Sequence, residues 1–392
     1  MTHPHPQVQL GSDILLASAR LQGQRVGIVC NHASVDGSFR HAVDRLTTAP
    51  GVTLAAIFGP QHGFRSDVQD NMIETAHGQD AQRRVPVYSL YSETREPTAE
   101  MLRGLDVLVV DLQDVGARIY TYIYTLANCL RAAKRHGVPV VVCDRPNPIG
   151  GLSVEGATLV PGFESFVGQF PIPMRHGMTI GEIARLFNEA FEIGAQLEIV
   201  PMTGWTRDMY ADDTGLPWVM PSPNMPTLDT AVVYPGTVLF EGTMLSEGRG
   251  TTRPFELLGL PGVDAERFAD RMNQERHPGV FFRPAVFEPT FQKHARTTCG
   301  GCQIHVRDRE AFRPVAVGVA LIAQFRRASP ATFAWRRPPY EYELEKEPFD
   351  ILAGSAVLRI EIEQGIPVAD IAASWRTDEE AFARLRQPFL LY

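Results

Sequence analysis

The sequence is poor in cysteine, lacks any long apolar run and is short of positive charge. Its five cysteines (Cys30, Cys129, Cys143, Cys299 and Cys302) are too sparse for a disulfide framework in 392 residues, and odd in number. A reducing cytoplasm is the expected compartment. No stretch approaches the ~18–20 apolar residues that span a bilayer. The opening MTHPHPQVQLGSDILL has no basic segment leading into an apolar one, so no secretory signal is expected. The formal net charge of −8 argues against a general nucleic-acid binder, which needs a basic face for phosphates. With 44% hydrophobic and 21% charged residues, the chain is not mainly disordered. At ~100–200 residues per domain, its length predicts two domains. No internal repeat or low-complexity tract is found.

Familiar cofactor and hydrolase signatures are missing too. Gly248-Arg249-Gly250 is followed by Thr251, Thr252 and Arg253, so it lacks the third glycine of a dinucleotide fingerprint. Gly151 and Gly156 have the spacing of a phosphate loop, but Ala157 stands where its lysine belongs. GxSxG and HExxH do not occur. No cofactor is expected. His294, Cys299, Cys302 and His305 have the composition of a metal cluster. If 303–306 is a strand, however, Cys302 and His305 face opposite ways, and no metal site is expected.

What is present is alternation. Residues 25–31, 52–59, 85–90, 105–111, 138–144 and 197–201 read as strands, most of them apolar throughout. Helices are expected at 41–48, at 122–136 with Gly137 closing the last turn, and at 179–191. Apolar strands separated by helices predict a parallel sheet covered on both faces. Residues 203–230, rich in Pro, Gly and Asp, read as a crossing segment. A strand at 303–306 and helices at 311–327, 349–364 and 378–386 predict a smaller α+β region. The expected division is 1–227 and 228–392, with a cleft between the parts.

In parallel sheets ligands gather outside the carboxyl ends of the strands, and the polar clusters stand there. Asn31 follows the first strand, and the loop from Gln61 to Asp67 the second. That loop holds His62, able to exchange a proton near neutral pH, and Arg65, able to clamp a carboxylate; Arg65 and Asp67 could equally pair with each other. Asp111, Gln113, Asp114 and Arg118 form a polyol-like set of donors and acceptors. Tyr120, Tyr122 and Tyr124 after it could stack on sugar or begin a buried helix. Asp144, Arg145 and Asn147 end the next strand, and Glu155, His176, Asn224 and Glu241 sit in later rigid loops. Glu247 and Arg249 lie among glycines, where Glu247 is a candidate acid or base. Polar residues at strand ends also make turns and helix caps.

The stretches FGPQHGFRSDVQ, PVYSLY, DLQDVGARIYTYIYT, DRPNPIGG, SFVGQFPIPMRHGMTIGE, LPWVMPSPNMPT, VYPGTVLFEGT, LSEGRGTTRPFELLG and FEPTFQKHA run in one order through nearly the whole chain. Together they resemble the exo-β-N-acetylmuramidases of glycoside hydrolase family 171, also known as domain of unknown function 1343. The resemblance implies a Rossmann-like α/β domain joined to a smaller α+β domain that closes an active-site cleft. It implies release of N-acetylmuramic acid from the non-reducing end of peptidoglycan fragments, in cell-wall recycling. The sugar's lactyl carboxylate suits Arg65, Arg118 or Arg249.

One position departs from the family. Its characterised members carry a glutamate in a PEHG motif as the proposed catalytic carboxylate, and this chain has Gln61. An amide neither gives nor takes a proton at neutral pH, whereas glycoside hydrolysis ordinarily uses two carboxylates. Three explanations stand open: Glu247, Glu241, Asp67 or Asp114 supplies the missing group; the substrate's acetamide acts as nucleophile with Gln61 orienting it; or the chain binds the sugar without cleaving it. The expected catalytic set is Gln61, His62, Glu247 and Asp114. The expected sugar-binding set is Asn31, Arg65, Asp67, Asp111, Arg118, Tyr122, Asp144, Arg145, Asn147, Glu155, His176, Asn224, Glu241 and Arg249. Muramyl sugars are the expected partners, with neither nucleic acid nor membrane; the oligomeric state is left open.

Overall fold

The computed structural model describes residues 8–69 and 72–392; the first seven residues of the expected 1–227 unit lie outside this range. Seven strands form one sheet in the order β3-β4-β2-β1-β5-β6-β7. They are β1 (Arg25–Cys30), β2 (Thr53–Gly59), β3 (Gly78–Asp80), β4 (Val85–Ser89), β5 (Val107–Asp111), β6 (Val140–Cys143) and β7 (Leu197–Val200). All pairings are parallel except that of the short edge strand β3 with β4. Apolar residues on both faces explain why the central strands read as unbroken runs: β5 and β6 are buried at every position. Alternation along them feeds two cores. Val29, Leu108, Val110, Val140 and Val142 join one, while Ile28, Cys30, Val109, Val141 and Cys143 join the other.

Helices α1 (Gly11–Ala17) and α2 (Ala42–Thr48) cover the second core. Helix α3 (Ala99–Leu102) precedes β5, and α4 (Tyr122–His136) and α5 (Ile180–Glu189) cover the first core. Helix α4 ends where its sequence says it should: Gly137 takes the left-handed conformation (φ 68°) that a side chain resists. Connections run from β1 towards β4 on one side and from β5 towards β7 on the other. The loops after β1 and β5 therefore part company, and a crevice opens at their carboxyl ends.

The rest of the chain forms α6 (Leu228–Thr237), β8 (Leu257–Leu260), α7 (Ala265–Gln274), β9 (Val280–Phe287), β10 (Cys299–Val306) and α8 (Pro314–Ala328). Helices α9 (Pro348–Ala353), α10 (Val357–Gln364), α11 (Val368–Ser374) and α12 (Arg376–Arg386) follow. The second sheet is antiparallel, in the order β8-β10-β9.

Several sequence expectations are corrected here. The strand expected at 303–306 is the second half of the longer β10. The helix expected at 349–364 is two helices, because Gly354 (φ 84°) closes α9. Strand β9 escapes notice because it contains Pro284, which a sheet tolerates on an edge strand. Helix α6, at the end of the supposed crossing segment, has no polar face to give a period; Thr230–Thr237 is buried throughout and includes Pro235. A Cβ on Gly236 would stand 1.8 Å from the Pro314 carbonyl oxygen, so that glycine allows α6 and α8 to touch. One apolar core runs from Val29 through both sheets to Phe389.

Candidate active site

A narrow cavity opens between the carboxyl end of the parallel sheet and the C-terminal half. Gln61, His62, Thr121 and Tyr122 line it from the first half, and Glu241, Arg249, Tyr340 and Glu341 from the second. Aromatic rings form its floor: Tyr120 meets Tyr122 edge-on at 4.8 Å and Tyr234 at 5.9 Å. Asn31, at the end of β1, donates to the Pro221 carbonyl (2.6 Å) and to Tyr122 Oη (3.0 Å). Tyr122 in turn donates to the same carbonyl at 2.6 Å. These bonds fix the rigid loop that carries Ser222 and Asn224 to the cavity.

Two carboxylates on opposite footings face this space. Glu341 comes from a turn far down the chain. Its Oε2 accepts from Tyr91 Oη at 2.9 Å, and its Oε1 lies 3.5 Å from Gln61 Nε2. Burial pushes its carboxyl up to about 7, although the Tyr91 hydrogen bond opposes the rise. Gln61 is itself oriented, since its Oε1 accepts from Thr121 Oγ1 at 2.8 Å. Glu241, at the end of the 3-10 helix Val238–Gly242, pairs with Arg249 at 2.7 Å and accepts from Tyr340 Oη at 2.7 Å.

Behind Arg249 lies Glu247, the acid or base expected from sequence. Burial alone would raise its pKa, but Lys293 at 2.7 Å and Arg249 at 3.1 Å more than offset that and draw it down to about 2. A carboxylate locked in its charged form between two cations is not a proton donor at neutral pH. Lys293 is fully committed as well, giving its remaining protons to the carbonyls of Phe240 and Leu245. Glu247 braces Arg249.

His62 does line the cavity. Its backbone is left-handed (φ 70°), and its Nδ1 lies 2.8 Å from the Val68 carbonyl. A carbonyl only accepts, so Nδ1 carries the proton and Nε2 is the acceptor. Burial lowers the ring to about 4, which keeps it neutral.

Most of the other expected residues turn inward. Asp111 makes a two-point ion pair with Arg145 (2.5 and 3.0 Å) beneath the sheet end. Asp144 accepts from Gly181 N, Thr179 Oγ1 and Tyr392 Oη; it anchors the start of α5, and burial lifts it to about 7. Asn147 bridges Met178 and Ile149. Glu155 accepts from Ala316 N in the first turn of α8 and is likewise raised by burial to about 7. Asp114 accepts from Gly116 N and faces His176 at 3.3 Å, both side chains enclosed. Arg118 is wholly buried and donates to four backbone carbonyls, those of Ala157, Ile172, Leu352 and Ala353. Its Nε has no partner, and the residue lines a pocket with Gly156, Met174 and Trp375 that is separate from this cavity.

Arg65 and Asp67 are exposed and line a separate groove beside Tyr88 and Glu74. Asn224 reaches the cavity edge and donates to the Gln69 carbonyl at 2.9 Å. Among the three arginines considered for the lactyl group, Arg249 lines this cavity. Among the described residues no group of three or more His, Cys, Asp or Glu could hold a metal; Cys302 is buried and His305 exposed on β10.

Sequence reading missed Glu341, Tyr91, Thr121 and Tyr340. The signal for two of them was the alternation Tyr340-Glu341-Tyr342 after Pro338-Pro339, a rigid aromatic–acid stretch.

Residues 26–229 match the family profile described as exo-beta-N-acetylmuramidase NamZ, N-terminal, and residues 232–392 match its C-terminal counterpart. The chain belongs to this family. It is 46% identical over 393 residues to the peptidoglycan beta-N-acetylmuramidase NamZ of Bacillus subtilis (strain 168), covering 100% of this chain and 93% of that protein. Two crystal structures of DUF1343 family proteins from Bacteroides fragilis share its fold. One superposes with a TM-score of 0.89 at 34% identity, covering 99% of this chain and 100% of that one. The other superposes with a TM-score of 0.77 at 28% identity, covering 99% of each. The fold is that of the exo-beta-N-acetylmuramidase family: a Rossmann-like parallel sheet with a smaller antiparallel annex.

Proposed function

We propose that this chain is a glycosidase that releases N-acetylmuramic acid from the non-reducing end of peptidoglycan fragments. The relative's activity, at 46% identity over the whole chain, supports the reaction class. The observation that carries the reading to particular atoms is Glu341, a cavity carboxyl raised by burial to about 7. A general acid works best with a pKa near the working pH. Glu341 donates its proton to the glycosidic oxygen as that oxygen leaves the anomeric carbon. Positive charge building on the sugar ring is faced by the Glu241 carboxylate, the second carboxylate that glycoside hydrolysis needs; water then bonds to the anomeric carbon and gives its proton to the Glu341 carboxylate, which restores the acid. Neutral His62 and Gln61 supply hydrogen bonds for hydroxyls and acetamide, and Tyr120 and Tyr122 a face for the ring.

Gln61 has an electrostatic consequence. The cavity wall holds one negative charge fewer than a glutamate there would give, which favours an anionic sugar. Arg249, shared between Glu241 and Glu247, is our assignment for the lactyl carboxylate. We place the boundary of the two domains at 227/228, with the second closing the cleft. The five buried free thiols support a reducing compartment, the cytoplasm, where the substrates are small imported fragments.

Purified protein is expected to release the chromophore from 4-nitrophenyl β-N-acetylmuramide and to cleave a disaccharide with N-acetylmuramic acid at its non-reducing end, and Glu341→Gln to lose most of the disaccharide activity. A preparation that binds free N-acetylmuramic acid but leaves the chromogenic substrate intact sinks the hydrolase reading. It favours instead a muramyl-sugar-binding protein, the reading to which an amide at position 61 points.

A further inference from the structure

The turn that carries Glu341 belongs to the C-terminal half, yet the side chains that grip it come from the first half. Residues 340–343 close a tight turn through two backbone hydrogen bonds between Tyr340 and Glu343, each 2.9 Å. Glu341 (φ 45°) and Tyr342 (φ 71°) both take left-handed backbone, a conformation that residues with side chains adopt reluctantly and that persists where surroundings enforce it. The enforcing contacts are on one side of the turn. The Arg95 guanidinium lies 3.7 Å from the centre of the Tyr342 ring and 5.5 Å from that of Tyr91. Glu74 ties both together, accepting from Arg95 at 3.3 Å and from Tyr342 Oη at 3.1 Å. Tyr91, whose ring packs on Phe166 at 5.2 Å, reaches past them to the Glu341 carboxylate.

We propose that Tyr91, Arg95, Glu74 and Tyr342 form a clasp between the two halves that seats Glu341 at the reacting bond, with Tyr91 and Arg95 as positioning residues. The proposal rests on Glu341 being the acid. The guanidinium between two aromatic faces holds the turn down, and the Tyr91 hydroxyl fixes the direction of the carboxyl. Neither group touches the sugar, so both act on kcat rather than on affinity.

The two arms of the clasp change the acid in opposite senses. Tyr91, Gln61, Tyr340, Glu241 and Arg249 face Glu341, with Tyr342, Arg95 and Glu74 behind. Loss of the Tyr91 hydroxyl removes a bond that stabilises the carboxylate, so the carboxyl holds its proton to higher pH. Loss of Arg95 releases the turn and lets water reach Glu341, so its proton leaves at lower pH.

The test compares pH profiles of kcat/KM for wild type, Tyr91→Phe, Arg95→Ala, Tyr342→Ala, Tyr342→Phe and Glu341→Gln. Two substrates are used, 4-nitrophenyl β-N-acetylmuramide and a disaccharide with N-acetylmuramic acid at its non-reducing end. Tyr91→Phe is expected to move the alkaline limb up, and Arg95→Ala and Tyr342→Ala to move it down. Each should lower kcat roughly tenfold on the disaccharide, less on the aryl glycoside whose leaving group needs no proton, with KM within about twofold. Tyr342→Phe, which keeps the ring under Arg95, should recover most of the loss. If Tyr91→Phe fails to fold, Arg95 and Tyr342, nearer the surface, carry the test. Unmoved limbs and unchanged kcat in the clasp variants, beside an inactive Glu341→Gln, overturn the clasp alone. Full disaccharide activity in Glu341→Gln overturns the assignment of the acid, and the clasp with it.

Discussion

Gln61 Nε2 stands 3.5 Å from Glu341 Oε1, so an amide faces a carboxyl across the cavity. Restoring a glutamate there sets two carboxyls within reach of one proton. Like charges so close do not both ionise readily, and the pair titrates at higher pH than Glu341 alone. Gln61→Glu is therefore expected to shift the alkaline limb of kcat/KM upward by about a unit or more. It should also weaken binding of free N-acetylmuramic acid more than that of neutral N-acetylglucosamine. Calorimetric titration with both sugars checks the second point; equal losses would remove the electrostatic role given to Gln61.

The acid itself sets the high-pH side of the profile. Glu341 must be protonated to act, so activity falls as pH rises through about 7. Glu341→Gln should reduce turnover of the disaccharide by roughly 10²–10⁴. In Glu341→Ala, added azide or formate, small enough to enter the vacated space, tests whether an external acid or nucleophile restores part of the activity.

Stability should have its own pH dependence. Glu247 falls from an unfolded value near 4.5 to about 2 in the folded chain. Its contribution is present above 4.5 and lost as pH drops towards 2, on the order of 3 kcal/mol. Asp144 and Glu155 are raised to about 7, so between about 4 and 7 they make the fold less stable as pH climbs. Thermal unfolding followed from pH 3 to 8 should show a maximum on the acid side of neutrality. Glu247→Ala, which leaves Lys293 and Arg249 buried without that partner, should cost about 3–5 kcal/mol and flatten the acid limb. Retention of that limb in the variant would count against Glu247 as its source.

Arg118 is expected to matter for folding and not for substrate. Replacing it with alanine leaves the carbonyls of Ala157, Ile172, Leu352 and Ala353 without their donor. At about 1–3 kcal/mol for each group left unsatisfied, the loss is large enough to lower the denaturant midpoint sharply. Whatever protein still folds should keep its KM. A raised KM with an unchanged midpoint would return Arg118 to the substrate.

The parallel sheet was legible because its strands are apolar on both faces, and α4 because Gly137 closes it. Strand β9 and helix α6 were hidden by Pro284 and by the lack of a polar side. At the site, sequence placed polar residues at strand ends but not their direction. Asp111, Asp144, Asn147 and Glu155 point into the protein and pair with Arg145, with hydroxyls or with backbone groups, as helix caps and buried ion pairs do. Gln61, His62 and Arg249 reach the cavity. Glu341 was illegible since it arrives from a turn 280 residues from Gln61, and no local spacing records that meeting.

Arg118 contacts Leu352 and Ala353 through their main chain alone, a form of recognition indifferent to side-chain identity. Half-proteins recombined between distant homologues would thus still dock through it. The pairs Tyr91–Glu341 and Arg95–Tyr342 are the reverse, each meaningful only when both members are inherited together. Exchange of genetic segments within such a lineage would yield assembled but idle hybrids, and revival would require substitutions to travel in matched couples across the seam.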